Sequence, residues 1–220
     1  MLRGLFITGT DTGVGKTVIS AVLMHRYRPA FLRYWKPIQT GIAIDDDTET
    51  VRLLGACSDR DIFNHGVRLK APLAPMFAAR HESLSINLDW FISLVHGEAE
   101  DARWIVEGAG GILVPITEAE MIIDLIVRLG LPALVVARTE LGTINHTLLT
   151  IEALSRRKIE VAGVAMVGPE NAENTQAIKL FGGVPVVASM PPLDELNAKT
   201  LRSWSIRHFD SRGLLKKYFS

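Results

Sequence analysis

The sequence predicts a single α/β domain in which a mostly parallel β-sheet carries helices on both faces. Short runs of valine, isoleucine and leucine alternate along the chain with segments of helical period. The apolar runs are continuous rather than alternating with polar residues, which is typical of parallel strands covered on both faces. With 220 residues the chain is long enough for one large domain and too short for two, so we expect residues 1–220 to form one domain.

Strands and helices are predicted to alternate from the first residues onward. Residues 5–8 are a continuous apolar run, and the helix that follows places Val18, Ile19, Val22 and Leu23 on one face. Residues 63–86, which include Pro72 and Pro75, are the least regular stretch, and we interpret them as a long active-site connection or an irregular helix. The predicted strands lie near residues 5–8, 30–35, 104–107, 132–137, 161–167 and 184–188, and the predicted helices near residues 16–28, 47–54, 88–96, 118–128, 144–157 and 175–181.

Composition excludes several classes of protein. Lysine and arginine together number 24 and aspartate and glutamate together number 24, so no net field favours nucleic acid or an anionic membrane. The single cysteine, Cys57, excludes an intrachain disulfide framework and suits a reducing compartment. The chain starts with an apolar strand rather than a leader, and no run approaches the roughly 18–20 apolar residues of a membrane span. We therefore expect a cytoplasmic protein without a nucleic-acid or membrane partner.

The stretch "FITGTDTGVGKTVIS", residues 6–20, has the composition of a phosphate-binding loop. It departs from the common G-x-x-x-x-G-K-[ST] template by one residue, because the leading glycine is Gly9 and Thr10 stands at the template position. The loop lies between a predicted strand and a predicted helix, as binding of phosphate by backbone N–H groups and a helix N-terminus requires. An ordinary glycine-rich turn is the alternative. A P-loop NTPase-like fold is therefore expected, and the residues expected at the nucleotide phosphates are Asp11, Thr12, Gly13, Val14, Gly15, Lys16 and Thr17.

Two further charged residues follow predicted strands, and the carboxyl ends of strands are where such sheets bind ligands. In "YWKPIQTG", residues 34–41, Lys36 would direct a cation into the crevice, with Thr40 nearby. A surface lysine that rests its stem on apolar neighbours is the alternative. In "WIVEGAGG", residues 104–111, Glu107 stands where an acid that holds Mg²⁺ opposite a phosphate loop belongs. An acid that simply caps the next turn is the alternative.

Two other segments precede predicted helices. "IDDDTETV" places Asp45, Asp46 and Asp47 at a helix start, where most such runs are solvated charges. "ELGTINHTLLT", residues 140–150, leads from the strand predicted at residues 132–137 into a helix whose first N–H groups could receive a carboxylate. We interpret His146 as a polar or capping residue rather than a catalyst. The residues that would present these N–H groups are Gly142, Thr143, Ile144 and Asn145.

Taken together, "GTDTGVGKT", "KPIQTG", "VEGAGG" and "LGTINHTLLT" resemble the dethiobiotin synthetases, in that family's order and over roughly residues 4–195. The family's phosphate loop has the same extra residue. The resemblance implies an ATP-dependent cyclo-ligase that converts 7,8-diaminopelargonate, CO2 and MgATP into dethiobiotin, ADP and phosphate. One amine would capture CO2 as a carbamate, the carbamate would attack the γ-phosphate, and the second amine would close the ureido ring on the carbamic-phosphoric anhydride.

The resemblance also implies catalytic and substrate-binding roles for matched residues. Thr12 and Lys16 would contact the carbamate and the phosphates, and Lys36 would stabilise the carbamate and the transferring phosphoryl group. Thr40 would contact the substrate. The substrate carboxylate would be received in the neighbouring subunit of a homodimer, so that the active site lies at the subunit interface, by Gly142, Thr143, Ile144 and Asn145.

The same resemblance implies a metal site and a nucleotide site. Mg²⁺ would be held by Thr17, Asp47 and Glu107, with Asp45 or Asp46 in place of Asp47 if the alignment slips. ATP is the co-substrate. Beyond the phosphate loop, the residues implied to border the nucleotide are Glu107, Gly108, Ala109, Gly110, Val167 and Gly168.

The chain departs from the family pattern at two places. Gly13 stands where some members have glutamate. At the end of the strand predicted at residues 161–167, the family's asparagine-containing adenine reader is replaced by Val167 and Gly168, which lack the paired donor and acceptor of an asparagine side chain. We therefore expect relaxed selectivity for the nucleotide base, with backbone groups near residues 189–193 as the alternative reader.

Three other functions are compatible with the same fold. A partitioning or positioning ATPase switch has a lysine early in its loop, at the place that Asp11 occupies here. A cobyrinate-type amide synthetase normally carries a second, glutaminase domain, for which the chain has no room. A nucleotide-binding regulator without chemistry stays open.

Overall fold

The computed structural model describes residues 2–98 and 101–220. Strands and helices alternate along most of this length. The strands are β1 Arg3–Gly9, β2 Leu32–Trp35, β3 Ile38–Gln39, β4 Ile62–Phe63, β5 Val67–Arg68, β6 Arg103–Gly111, β7 Ala133–Arg138, β8 Val161–Val167 and β9 Val186–Met190. The α-helices are α1 Lys16–Arg26, α2 Asp47–Leu54, α3 Pro75–His81, α4 Leu88–His96, α5 Ile122–Leu129, α6 Thr143–Arg156, α7 Ala172–Gly182 and α8 Ala198–His208.

Within the described residues, seven strands form one sheet in the order β4-β2-β6-β1-β7-β8-β9, and every pairing in it is parallel. The two short strands β3 and β5 form a separate parallel pair. The order places β2, β6 and β1 side by side, so the three segments that follow them in the chain emerge at one edge of the sheet. The predicted fold class is confirmed.

Helices cover both faces of the sheet because successive strand residues point to opposite sides. On β1, the buried Leu5 and Ile7 belong to the core shared with α1 and α8. Phe6, between them, belongs to the opposite core, which includes residues of α4, α5 and α6. Continuous apolar strands are the direct consequence of this two-sided burial.

Several element boundaries differ from the sequence prediction. The helix predicted from residue 118 begins at Ile122, because Pro115 and Met121 pair across an isolated antiparallel bridge and the intervening residues turn back. Residues 63–86 form β5 and α3 as well as irregular chain. Helix α8 was not predicted, since its apolar residues are sparse.

The C-terminal residues pack against α1, the helix that follows the phosphate loop. In α8, the buried Ser205 hydroxyl donates to Val22 O at 3.0 Å. Further on, the buried Asp210 carboxylate accepts from the Tyr27 hydroxyl at 2.5 Å and from the backbone N–H groups of Leu214 and Leu215 at 2.7 and 2.9 Å. These contacts give the C-terminal segment a structural role. In the described part of the chain, no helix combines the length and the apolar character that crossing a membrane needs.

Candidate active site

A cavity of about 640 Å³ opens at the carboxyl ends of β1, β2 and β6. Its polar side chains come from four separate segments of the chain, as the strand order requires. The residues 72–75, from the irregular stretch, supply an apolar part of its wall together with Ile44 and Val114. The predicted site residues that line it are Thr12, Gly13, Gly15, Lys16, Thr17, Lys36, Thr40, Asp47, Glu107, Ala109 and Gly110.

The phosphate loop enters α1 through Gly15, whose φ of 98° is unfavourable for any residue with a side chain. A Cβ at Gly15 would also lie 3.1 Å from the Val167 side chain, so the end of β8 rests against the loop. Among the described residues, no side chain caps α1 and no acid stands in its first turn. The first N–H groups of the helix therefore have no side-chain cap within the described chain, and Gly15, Lys16 and Thr17 line the cavity, which suits an anion site.

Lys16 is a buried lysine at the start of α1, and its Nζ donates to Asp11 O at 3.0 Å. Burial, and then the nearby charge of Lys36, lower the pKa of Lys16 to about 8. Asp11 in turn pairs with Arg138 at 2.7 Å. The ammonium of Lys16 thus donates to a backbone carbonyl rather than to a carboxylate, which suits a group that binds phosphate.

Thr17 lies where two carboxylates meet. Its Oγ1 is 2.7 Å from Asp47 Oδ1 and 3.0 Å from Glu107 Oε1. A hydroxyl has one hydrogen to donate, so it can satisfy one of the two carboxylates at a time. Three oxygen atoms of two acids and one hydroxyl therefore converge, which is the donor set that Mg²⁺ prefers.

Glu107 is completely buried on β6 and is surrounded by hydrogen-bond donors. Its Oε1 accepts from Lys36 Nζ at 2.8 Å, and its Oε2 accepts from Ser20 Oγ at 2.8 Å and Tyr34 OH at 3.0 Å. Burial, followed by the charge of Glu107, raises the pKa of Tyr34 well above its usual range, so the phenol stays a neutral donor. Ser20 and Tyr34 hold Oε2 and leave Oε1 turned to Thr17 and Lys36.

Lys36 is a buried cation between the two acids rather than a surface lysine. Its Nζ lies 2.5 Å from Asp47 Oδ2 and 2.8 Å from Glu107 Oε1, and donates to Gly108 O at 3.1 Å. Burial alone would lower the pKa of Lys36. The carboxylates of Glu107 and Asp47 outweigh burial, so the pKa of Lys36 lies above its usual value. Burial alone would raise the pKa of Asp47. The charge of Lys36 outweighs burial, so the pKa of Asp47 lies below its usual value. Both shifts favour the charged forms of Lys36 and Asp47.

The three adjacent aspartates have different surroundings. Asp46 caps α2, since its Oδ1 accepts from the N–H groups of Thr48 and Glu49. Asp45 lines the cavity, and its backbone carbonyl accepts from Gln39. Asp47 alone of the three contacts Thr17 and Lys36 with its side chain. Of the three, Asp47 is thus the one beside Thr17, and its role as a metal ligand stays a prediction.

In the described parts of the chain, no three His, Cys, Asp or Glu side chains cluster as a metal site. A cation between Thr17, Asp47 and Glu107 would take its remaining ligands from elsewhere. Mg²⁺ commonly keeps several waters and substrate phosphates and uses one or two carboxylates, so the two acids and the hydroxyl fit that ion.

The residues predicted for the substrate carboxylate lie apart from the cavity. Gly142 is the N-cap of α6, and Thr143 donates its hydroxyl to Arg138 O at 2.6 Å. Leu141, next to them, is 101% exposed, and Asn145 is also exposed. Of the described residues that line the cavity, none falls in residues 142–145. Within one chain the structure does not bring this helix start to Lys36.

At the end of β8, Gly168 has a φ of 137°, and a Cβ there would lie 2.4 Å from Thr139 Oγ1. A side chain at this position would collide with Thr139. The packing therefore disfavours any residue with a side chain that could read adenine here. Val167 presents an apolar side chain to Gly15.

Sequence reasoning missed several polar residues of the site. Ser20 and Tyr34 lie inside apolar elements, where nothing distinguishes them from core residues. Gln39 and Arg68 come from β3 and β5, strands too short to show a period. Arg68 Nη1 donates to Lys36 O at 2.9 Å and Nη2 to Thr48 Oγ1 at 3.4 Å, which ties the Lys36 backbone to α2.

A family model described as an AAA domain matches residues 3–200. The chain is 49% identical over 200 residues to the ATP-dependent dethiobiotin synthetase BioD of Paramagnetospirillum magneticum, an alignment that covers 91% of this chain and 93% of that protein. It is 41% identical over 216 residues to the protein of the same name from Rhodopseudomonas palustris, with 98% of each chain covered.

Among solved structures, the ParA family ATPase from Chlorobium tepidum TLS aligns with a TM-score of 0.58 at 9% identity, covering 94% of this chain and 98% of that chain. At this identity the likeness shows the fold alone. The expected P-loop NTPase-like fold is confirmed by it.

Proposed function

Because the chain belongs to the dethiobiotin synthetase family, we propose that the cavity at the ends of β1, β2 and β6 is the active site of its reaction. The chain is an ATP-dependent cyclo-ligase of biotin biosynthesis that forms the ureido ring of dethiobiotin from diaminopelargonate. ATP is the co-substrate. The alternative of a partitioning or positioning switch has support from the fold alone.

The carbon of the new ring is proposed to come from CO2. One amine of diaminopelargonate forms an N–C bond to CO2 and loses a proton, which gives a carbamate. A carbamate oxygen then attacks the γ-phosphorus of ATP, and ADP leaves. The second amine attacks the carbonyl carbon of this carbamic-phosphoric anhydride, loses a proton and expels phosphate. No covalent bond to the protein is needed, so positioning and charge neutralisation are the tasks of the site.

Lys16, Lys36 and Thr12 are proposed as the catalytic residues. Lys16 is the cation at the start of α1 and has its main contact with a backbone carbonyl, so its charge is available to the outer phosphates. Lys36 reaches the same cavity from β2, next to the acids. Two cations from different strand ends would offset the negative charge that develops on the transferring phosphoryl group. Thr12 lies on the exposed part of the phosphate loop. Its Oγ1 is 3.6 Å from where a Cβ at Gly110 would stand, so Thr12 is also close to the end of β6.

Thr17, Asp47 and Glu107 are the proposed magnesium ligands. Their convergence within 3.0 Å of the Thr17 hydroxyl supports the assignment. When bound there, Mg²⁺ would neutralise negative charge on the phosphates of ATP. Ser20 and Tyr34 fix the orientation of Glu107 by holding its second oxygen.

The proposal includes a homodimer. The carboxylate of the substrate would be received by Gly142, Thr143, Ile144 and Asn145 of a second copy of the chain, with Thr40 as a further substrate contact. Two observations support this arrangement. Residues 142–145 lie apart from the cavity of their own chain, and Leu141 beside them is fully exposed. The proposal also comprises one catalytic domain over residues 1–220, no nucleic-acid partner and a cytoplasmic location.

The observation that carries the proposal is the convergence of Lys36, Asp47 and Glu107 beside the phosphate loop. The test is to incubate the purified chain with MgATP, diaminopelargonate and ¹³C-bicarbonate and to detect dethiobiotin by mass spectrometry. We expect the label in the ureido carbonyl, and we expect Lys36→Met to abolish product formation while Lys179→Met, an exposed lysine on α7, has no effect. Unlabelled product, or full activity of Lys36→Met, would contradict the proposal.

A further inference from the structure

Gln39 lines the active-site cavity but has no assigned role. It belongs to β3, which pairs in parallel with β5, and its register partner there is Arg68. The backbone carbonyl of Gln39 accepts from Leu69 N at 2.9 Å, which ties the residue to the segment that contains β5. Gln39 is 2% exposed, and its chain neighbour Thr40 and the nearby Lys36 line the same cavity.

The orientation of the Gln39 amide is determined by one contact. Its Nε2 donates to the backbone carbonyl of Asp45 at 2.7 Å. A carbonyl accepts and cannot donate, so the amide nitrogen and not the oxygen must face Asp45. The other end of the amide is therefore an acceptor, and Oε1 is buried without a hydrogen-bond partner in residues 2–98 and 101–220.

A buried acceptor in a cavity wall selects for a donor in the ligand. The neighbouring cations do not supply one, because Lys36 is engaged with Asp47, Glu107 and Gly108, and Lys16 with Asp11 O. The triphosphate end of ATP and CO2 offer only acceptors. Of the reactants that meet here in the proposed function, the diamine is the one whose reacting groups carry N–H donors.

We propose that Gln39 Oε1 accepts a hydrogen bond from one of the two amino groups of the diamine substrate and is a specificity-determining residue for the reaction. An amine that donates an N–H keeps its lone pair, so a neutral amide oxygen can orient the amine without removing its nucleophilicity. A carboxylate at this place would hold the protonated, unreactive ammonium instead. The inference rests on the proposed function of the cavity.

The experiment compares the wild-type chain with Gln39→Met, which keeps the length of the side chain and removes both amide atoms. Binding of 7,8-diaminopelargonate, 7-aminononanoate and 8-aminononanoate is measured by calorimetry with a non-hydrolysable ATP analogue present and bicarbonate absent. We expect Gln39→Met to weaken diamine binding about tenfold or more and to remove the preference of the wild type for the diamine over one of the monoamines. The affinity for the ATP analogue should change less than about twofold, which shows that the cavity remains folded.

Gln39→Glu is the second variant, because it keeps Oε1 as an acceptor, adds a charge and removes only the Nε2 donor to Asp45 O. It should bind the diamine at least as tightly as wild type but turn over more slowly at neutral pH, since it favours the ammonium form. Equal weakening of all three amines in Gln39→Met, or unchanged diamine binding, would overturn the inference and leave the proposed function standing. Failure of the wild type to bind the diamine at all would overturn both.

Discussion

Two buried lysines share the cavity, and replacing each with methionine should change the stability of the fold in opposite directions. Lys36 is 3% exposed and Lys16 is 7% exposed. Either substitution removes a charge proposed to act on the phosphates. They differ in their partners. Lys36 pairs with Asp47 and Glu107, whereas Lys16 contacts one backbone carbonyl.

Lys36→Met would leave two carboxylates close together without their shared cation. Glu107 is fully buried, and Asp47 is 23% exposed. Removing one partner of a buried ion pair typically costs about 3–5 kcal/mol, because the remaining charge cannot recover its hydration. We expect the free energy of unfolding to fall by about that amount.

Lys16→Met should stabilise the fold. The pKa of Lys16 is lowered from 10.5 to about 8, chiefly by burial. At about 1.4 kcal/mol per pH unit, folding of the charged form costs up to roughly 3 kcal/mol relative to an unperturbed lysine. Between these two pKa values the unfolded chain binds a proton that the folded chain has released, so the stability of the wild type rises with pH across this window. The variant has no such proton.

The assay is urea unfolding of the three proteins at pH 7.5 and pH 9.5, in EDTA and without nucleotide. At pH 7.5 Lys16→Met should be the most stable and Lys36→Met the least. The gap between Lys16→Met and wild type should shrink by about 2 kcal/mol at pH 9.5. Titration of Cys57 and the tyrosines is common to all three proteins and cancels in the difference. A destabilised Lys16→Met, a gap independent of pH, or a fully stable Lys36→Met would refute the reasoning.

Four further outcomes are expected of the site. Lys36→Gln should lower the rate of dethiobiotin formation about 100-fold or more with little change in KM for ATP, whereas the exposed Lys179→Gln should not; near-normal turnover would exclude the role of Lys36. Glu107→Gln should weaken binding of Mn²⁺ to the ADP complex, followed by electron paramagnetic resonance, and unchanged Mn²⁺ affinity would remove it from the metal site. Mixing Lys36→Gln with Asn145→Asp chains should restore about a quarter of full activity if each site uses two subunits, and no recovery would argue against the shared site. Because Val167 offers no hydrogen bond to a base, kcat/KM for GTP or CTP should lie within about tenfold of that for ATP, and an ATP preference above about 100-fold would show that another group reads adenine.

The parts of the fold that the sequence predicts are those with local signals. The phosphate loop is recognisable because its glycines, its Lys-Thr pair and the flanking strand and helix are contiguous. Lys36 and Glu107 are predictable as site residues because each comes directly after an apolar run, and parallel strands bring such positions to one edge. The structure places Lys36 directly after β2, whereas β6 continues past Glu107 to Gly111.

The rest of the site depends on contacts between distant segments. Pairing of β3 with β5 joins two strands of two residues each, which no periodicity reveals, and this pairing holds Gln39 in the cavity wall. The choice among three adjacent aspartates depends on where α2 begins, since Asp46 becomes the cap and Asp47 the side chain directed at Thr17. Tyr34 is indistinguishable in sequence from any core aromatic residue until the fold places its hydroxyl on Glu107.

The most direct test of the central claim is the release of ADP by the purified chain when each reactant is omitted in turn. An active site built to carry out phosphoryl transfer to a carbamate should release about one ADP for each dethiobiotin formed. We predict near-background ADP release when either diaminopelargonate or bicarbonate is left out. Equal ADP release without diaminopelargonate, as a nucleotide-driven switch would give, would contradict the account.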